Sequence, residues 1–374
     1  LIVAQRLSSG SVAASVPTLV TSAAEASGYH GQGSHLARMV ALAFLAYPSA
    51  EVWTIGVTDD GSGVAATATV TVTGPATADG TINLYIAGRR VQVGVTSGDA
   101  QNAIAAAIEA AVDADTELPV TAGVSTNVVT LTARNKGALG NHIDVRVNAG
   151  GQFAGEETPA GVSLAIVAMS SGATNPSVAP AIAAMADDAY DWVLCPINDT
   201  TALGLWKTEM ARRWNALRMI YGHVFTAYNG TVGECSSFAN GGTPLNDPHL
   251  TVFGYRGPEV SGGSPDPRAL GTPIGSMTSP WEWLASQAAA VAASVEVHPA
   301  VPFMSLLVPG VNAPPILDRW DTDEQNTLLY DGVSTTVVTA GEVRVSRVIS
   351  TYLTDGMGIS DTSYLSYNTL AQLT

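Results

Sequence analysis

The chain has 374 residues, 46% of them hydrophobic, which is long enough for two or three domains with their own cores and too apolar for a disordered chain. Charged residues make up only 13%, about half of the roughly 25% usual in soluble domains, so the surface repels neighbours weakly and suits broad contacts between subunits. With 32 acidic and 16 basic residues the net charge is −16, and the basic ones gather no more densely than Arg89–Arg90 and Arg212–Arg213, which excludes the positive stripe a nucleic-acid backbone requires.

Leu1–Gln5 is a short apolar run that reads as a buried strand. No basic stretch precedes it, so it does not resemble a signal peptide, and the expectation is a strand cut from a longer chain. Next come three glycines, Gly28, Gly31 and Gly33, read as a loop that opens onto an apolar helix. Gly28 and Gly33 have the spacing of a Walker loop, but Ser34 and His35 follow where Lys and Ser/Thr are needed. Gly31 and Gly33 fit the first two glycines of a dinucleotide loop, but Leu36 stands at the third. The favoured reading is a tight loop feeding a buried helix over 34–47, capped by Ser34 and stopped by Pro48. Its apolar face is Leu36, Met39, Val40, Ala43, Phe44 and Tyr47, and Leu42 and Leu45 make the other side partly apolar too. Residues 50–57 read as the next strand.

The style changes at the turn 58–63. Thr/Val alternation over 66–74, 81–88 and 89–96 predicts half-buried strands. A helix over 98–114 follows, with Ile104, Ala107, Ile108 and Ala111 on one face. Strands return at 118–124, 127–134 and 142–148. The α/β rhythm then resumes: helix 176–187, strand 190–197, helix 199–217 capped by Asp199 or Thr200, strand 221–228, helix 231–239 and strand 248–255. Residues 256–280 read as a long loop. A helix over 279–297 has Ser279 as cap and Pro280 at its first position. An irregular stretch reaches 323, and strands at 335–339 and 342–351 follow. The fold class is therefore α/β, a mostly parallel sheet covered by helices, with a smaller β-rich α+β domain inserted. Residues 1–58 begin the core, 59–165 form the insertion, and 166–374 complete the core and begin a C-terminal region.

No chemistry rises from this pattern. Arg38 and Pro48 keep the longest apolar helix short of the ~20 residues that span a bilayer. Cys195 and Cys235 form no CxxC pattern, so neither zinc nor a disulfide is supported. Cys195 reads as a small buried hydrophobe, and a reducing compartment fits best. His30, His35, His142, His223, His249 and His298 are scattered; His30 and His35 read as a surface loop and a helix start rather than metal ligands. No G-x-S-x-G elbow is present, and the Ser/Asp stretch 358–364 lacks glycine brackets. Asp318, Asp321, Asp323 and Glu324 could bind calcium but lack EF-hand spacing, and Arg319 neutralises part of the cluster; a loop that caps the following segment is favoured. Trp281 and Trp283, two residues apart, point to different sides of a helix and favour core or interface packing over a ligand platform. No catalytic residue, cofactor or metal is expected.

The end of the chain carries a resemblance. "EQNTLLYDGVSTTVVTAGEVRVSRVISTYLTDGMGISDTSYLSYNTL", residues 324–370, is similar to contractile-tail sheath proteins of phages. The order is "NTLLYDG", a strand pair, a helix over Arg347–Tyr352, and "SYLSYNTL". "GQGSHLARMVALAF", "TARNKGALGNHIDVRVN" and "NDPHLTVFGY" are similar to the Mu-like branch. The resemblance implies a structural α/β core with a subtilisin-like layout, no recoverable triad and no bound nucleotide. It implies self-assembly into a helical sheath around a tail tube, contraction on a baseplate trigger, and a place in the virion after assembly in the host cytoplasm. Partners so implied are other copies, the tube, baseplate and tail terminator proteins, with no nucleic acid and no membrane. Arms at both ends add strands to neighbours in that family. Both arms are expected to be largely missing here, leaving a monomer of about the chain mass, 38.3 kDa. The alternatives are a sheath of a phage-derived, bacteriocin-like device and a nucleotide-binding or hydrolytic α/β enzyme.

Overall fold

The computed structural model describes residues 1–242, 245–257, 275–297, 303–355 and 357–360. The first elements are strand β1 (Ile2–Gln5), strand β2 (Thr18–Val20), helix α1 (Ala23–His30), helix α2 (His35–Ala46) and strand β3 (Val52–Val57). β1 runs parallel to β3 from Ile2↔Thr54 to Gln5↔Val57, and all of it is buried. A strand covered on both faces has no solvent side, which is why this stretch shows no polar alternation. α2 forms as its spacing predicts. The Ser34 Oγ accepts the Ala37 N–H at 3.1 Å; Leu36, Met39, Val40 and Ala43 are buried, Phe44 and Tyr47 half-buried, and Leu45 exposed. α1 is a departure. Gly28, read as loop, lies inside this helix, which starts where the Ser22 Oγ accepts the Glu25 N–H at 3.2 Å. Ala26 and His30 are its buried residues, too thin a stripe for periodicity to reveal. Packing against α2 holds it instead.

The chain then builds β4 (Ala65–Thr73), β5 (Gly80–Ile86), β6 (Arg89–Val95), α3 (Gln101–Ala114), β7 (Val120–Ser125), β8 (Val128–Lys136), β9 (Val145–Val147) and β10 (Ser163–Ser170). They form two sheets with antiparallel pairings, ordered β10-β4-β8-β7 and β6-β5-β9. β4 alternates as half-buried strands do: Ala66, Ala68, Val70 and Val72 are buried, and Thr67, Thr69, Thr71 and Thr73 face outward. α3 packs Ile104, Ala105, Ile108 and Val112; Ala107 and Ala111 of the expected face are half-buried, so the packed face is turned slightly. Residues 138–142 form a 3₁₀ turn, which shortens the strand expected from 142. β10 was not foreseen, and residue 165 lies within it. Its Leu164 and Ile166 are half-buried at a sheet edge, a weak alternation next to a glycine-rich loop.

The remaining elements are α4 (Ala179–Met185), β11 (Trp192–Leu194), α5 (Thr200–Arg213), β12 (His223–Asn229), α6 (Val232–Asn240), β13 (Leu250–Tyr255), α7 (Pro280–Val297), α8 (Thr322–Tyr330), β14 (Val333–Thr339) and β15 (Glu342–Arg347). Eight strands form one sheet in the order β15-β14-β13-β12-β11-β1-β3-β2. Its inner pairs are parallel, and the edge strands β2 and β15 are antiparallel to their neighbours. The fold is thus mixed α/β with a mostly parallel sheet and additional antiparallel sheets. One apolar cluster runs through the large sheet, its helices and the smaller sheets.

Two local expectations fail. Residues 348–352 are not helical: the Thr351 N–H donates to the Leu250 carbonyl at 2.9 Å, and the Ile349 N–H to the Ser334 Oγ at 2.9 Å. β-Branched Val348, Ile349 and Thr351 favour this extended course. Ser279 does not cap α7 with its side chain, whose buried Oγ has no hydrogen-bond partner among the described residues. Instead the Glu282 carboxylate accepts the Ser279 N–H at 3.3 Å. The loop expected over 256–280 is described only at its two ends, and His298 and "SYLSYNTL" lie outside the described residues.

α5 is capped by Asp199, whose Oδ1 accepts the Ala202 N–H at 3.0 Å. Asp199→Ala removes that acceptor and leaves a helix-end donor unmet, so urea unfolding should show a loss of about 1 kcal/mol. Asp199→Asn should lose only a few tenths. Equal losses for both would assign the effect to charge rather than capping.

Candidate functional site

In an open α/β sheet, ligands bind outside the carboxyl ends of the strands where strand order reverses. That point here lies between β1, which leads on to β3 at one side, and β11, which pairs with β1 at the other. The chain fills this crevice with its own side chains. Gln5, at the carboxyl end of β1, donates from Nε2 to Asp59 Oδ1 and to the Lys136 carbonyl, both at 2.6 Å. Asn135, at the end of β8 and 1% exposed, donates from Nδ2 to the Arg6 carbonyl and to Asp59 Oδ1, both at 3.1 Å. Its Oδ1 accepts the His35 N–H at 3.1 Å. His35 is the first residue of α2, so a side-chain amide sits where a phosphate would meet the free N–H groups of a helix start.

The glycine turn completes the seal. Gly31 and Gly33 have φ of 87° and 75°. A Cβ on Gly33 would lie 2.4 Å from the Leu118 carbonyl oxygen and 2.9 Å from that of Thr116, so only glycine lets this turn touch the segment between α3 and β7. The turn serves close packing between two parts of the chain, and the N–H of Gly28 belongs to α1.

Arg38 binds the same junction. It is 7% exposed; its Nε donates to Glu282 Oε1 at 2.7 Å and its Nη1 to the Glu117 carbonyl at 2.8 Å. One guanidinium thus joins α2, α7 and the segment between α3 and β7. The signal was present in the sequence: a lone arginine among apolar helix positions must meet an acid or carbonyls. Asn135, Asp59 and Gln5 carried no such signal, because short polar residues near turns are common.

The other residues singled out fall apart in space. His30 and His35 are both buried, not in a surface loop: His30 Nε2 meets Thr54 Oγ1 at 2.8 Å and His35 Nδ1 meets Gln5 Oε1 at 3.1 Å. His30 is the last residue of α1, which packs on α2, and His35 is the first residue of α2. Burial first, and then the charge of Arg6 and Arg38, pushes His30 down to about 4 and His35 down to about 3. Burial lowers His142 and His249 to about 4 and His223 to about 3. Trp281 and Trp283 are fully buried on opposite sides of α7; Trp281 packs on His35 at 4.2 Å and Trp283 stacks on Tyr255 at 4.7 Å. Asp321 caps α8 by accepting the Asp323 and Glu324 N–H groups, and buried Asp318 accepts the Gly275 N–H at 3.1 Å. Burial pushes both thiols, Cys195 and Cys235, up to about 12, which leaves them unreactive. Among the described residues no group of three or more His, Cys, Asp and Glu could hold a metal ion, and no helix is long and apolar enough to cross a membrane.

Comparison with known proteins gives a consistent result. A model of the phage tail sheath protein central domain matches residues 171–351, and one of the phage tail sheath protein beta-sandwich domain matches residues 61–163. The Mu-like prophage FluMu tail sheath protein of Haemophilus influenzae is 35% identical over 375 residues, covering 100% of this chain and 72% of that protein. A sheath tail protein from Listeria innocua has a TM-score of 0.45 and 12% identity, covering 98% of this chain and 72% of its own. One from Desulfitobacterium hafniense has a TM-score of 0.45 and 10% identity, covering 99% and 75%.

Arg38→Met would strand the Glu282 charge in the interior, and the expected loss is about 3–5 kcal/mol in equilibrium unfolding. Adding Glu282→Leu should recover most of it; no recovery would show that packing, not charge, holds this junction. Stability should also depend on pH. Five histidines titrate lower in the folded chain than the ordinary 6.5, so the unfolded chain takes up more protons below that value. Their contribution is complete above about pH 6.5 and is lost as pH falls toward 4. Asp144 and Asp247, raised by burial, act in the opposite sense at the acid end. A melting temperature that falls steadily from pH 6.5 to 4.5 is expected, and His35→Asn should flatten the slope.

Proposed function

The chain belongs to the phage tail sheath protein family, and from that premise we propose that it is a subunit that polymerises around a tail tube and contracts to drive the tube through a host envelope. The family is a structural one and not an enzyme family, and its place is the phage tail. The observation that carries the proposal is the 35% identity over the whole chain, which spans both parts of the fold rather than one motif.

The geometry supports a subunit that moves as a stiff body. Sheath contraction in this reading slides and rotates subunits against one another, and a subunit that bent at an internal hinge would dissipate the motion. Arg38 and Asn135 tie the smaller sheets to the parallel sheet through buried groups, so bending there would strand charge and amides away from water. The reading divides the chain into a core of residues 1–58 and 166–374 and an inserted module of 59–165, with the module on the outer side of the sheath. Contacts with the tube, the baseplate and the tail terminator, and assembly in the host cytoplasm, belong to the same proposal.

The sheet edges support linkage by strand addition. Beyond β15, the Ser305 and Val308 N–H groups donate to the Val345 and Val343 carbonyls, so the chain covers that edge itself. Beyond β2 no backbone partner is found among the described residues, and Val16 and Leu19 are exposed there. An extended segment of a neighbour would find main-chain partners at β2. The test is electron microscopy of the full-length protein. Tubes of stacked rings are expected, and Leu19→Pro, which removes a backbone donor at that edge, should reduce their number. A protein that stays dispersed under all assembly conditions would overturn the reading.

A further inference from the structure

The side of the glycine turn that faces away from α2 borders a cleft of about 310 Å³ at the junction with the smaller sheets. Gly31, Gln32, Ser9, Ser27, Thr116 and Arg134 are among the residues that line it. Arg134 is held in place by its own Nε, which donates to the Leu118 carbonyl at 2.8 Å. Among the described residues its two terminal nitrogens have no protein partner, and no carboxylate pairs with it. The nearby Glu117 carboxylate is engaged by the Ser27 Oγ at 3.3 Å. The Ser9 and Thr116 hydroxyls and the Gln32 amide likewise have no protein partner.

We infer that this cleft is a receptor for a single oxyanion, a carboxylate or phosphate, held by the fork of Arg134 and the surrounding hydroxyls. A guanidinium with one edge fixed and the other free is already oriented for a two-point bond to such a group, with little ordering left to do. Most of the charged groups that a chain with 32 acidic and 16 basic residues presents to a neighbouring copy are carboxylates, which matches the charge of Arg134. The same chemistry has two sources: a small free anion, or a carboxylate side chain of a second copy. The second source rests on the sheath reading; the first does not.

The test uses the folded chain and its full-length form. Inorganic phosphate and acetate are titrated at ionic strength matched with potassium chloride, while the Arg134 Nε–H resonance is followed by NMR. A saturable shift with either anion, absent with chloride and lost in Arg134→Gln at unchanged melting temperature, assigns the cleft to a free anion. If no anion saturates it, but Arg134→Gln slows tube formation several-fold and Arg134→Lys restores part of the rate, the ligand is a neighbour's carboxylate. No saturable shift together with wild-type assembly of Arg134→Gln overturns the proposal. Failure of the unsubstituted protein to form tubes counts against the sheath reading and leaves the NMR result to decide the cleft.

Discussion

The fold depends on one constraint: a charged arginine lies on a helix that is buried on most of its surface. α2 packs between the parallel sheet, α7 and the smaller sheets, and Arg38 points into that junction. Burying a guanidinium is costly unless an acid and further acceptors surround it. Glu282 supplies the acid and the segment between α3 and β7 supplies a carbonyl, and each comes from a distant part of the chain. The pair therefore demands that three separate pieces be in place together. A buried ion pair is weak evidence for stability, but it specifies an arrangement, since sliding any one piece leaves a charge unmet.

The same logic explains how an enzyme-like layout can be a building block. A parallel sheet presents open carboxyl ends, and helix starts beside them offer free N–H groups. Many α/β proteins place substrates there. Between β3 and β11 this chain builds its smaller sheets, and Asn135, from one of them, takes the donor that a phosphate would take. Asp59 and Gln5 then satisfy one another and the incoming backbone. The chemistry of the crevice is consumed by internal bonds, so the layout persists without the function that usually accompanies it.

Much of this was legible in the residues. Strands buried on both faces announced themselves as mainly apolar runs without alternation, as in Leu250–Tyr255, and the Thr/Val alternation of Ala65–Thr73 marked the change to half-buried sheets. Caps such as Ser34 and Asp199 were readable because their chemistry is local. What escaped is non-local. α1 has too few buried residues to show a period, and β10 lies at an edge where burial is partial. The extended course of 348–352 is set by partners near Leu250 and Ser334. The seal of the crevice depends on Gln5, Asp59 and Asn135, which are far apart in sequence and unremarkable singly. His30 looked like a loop residue because the helix that buries it was not visible, whereas His35 does stand at a helix start.

The unequal edges of the large sheet have a geometric consequence. Among the described residues the sheet is closed by its own chain at β15 and open at β2, so it can be extended in one direction only. Two copies cannot meet there by the same patch on each, as in a two-fold dimer, unless both use the three residues of β2. A contact of β2 with a different segment of the next copy is heterologous, and heterologous contacts repeat without closing on themselves unless the rotation happens to complete a ring. Such a chain of contacts has a head and a tail, so under the strand-addition proposal the polarity of an assembly follows from which edge of a single subunit is left unpaired.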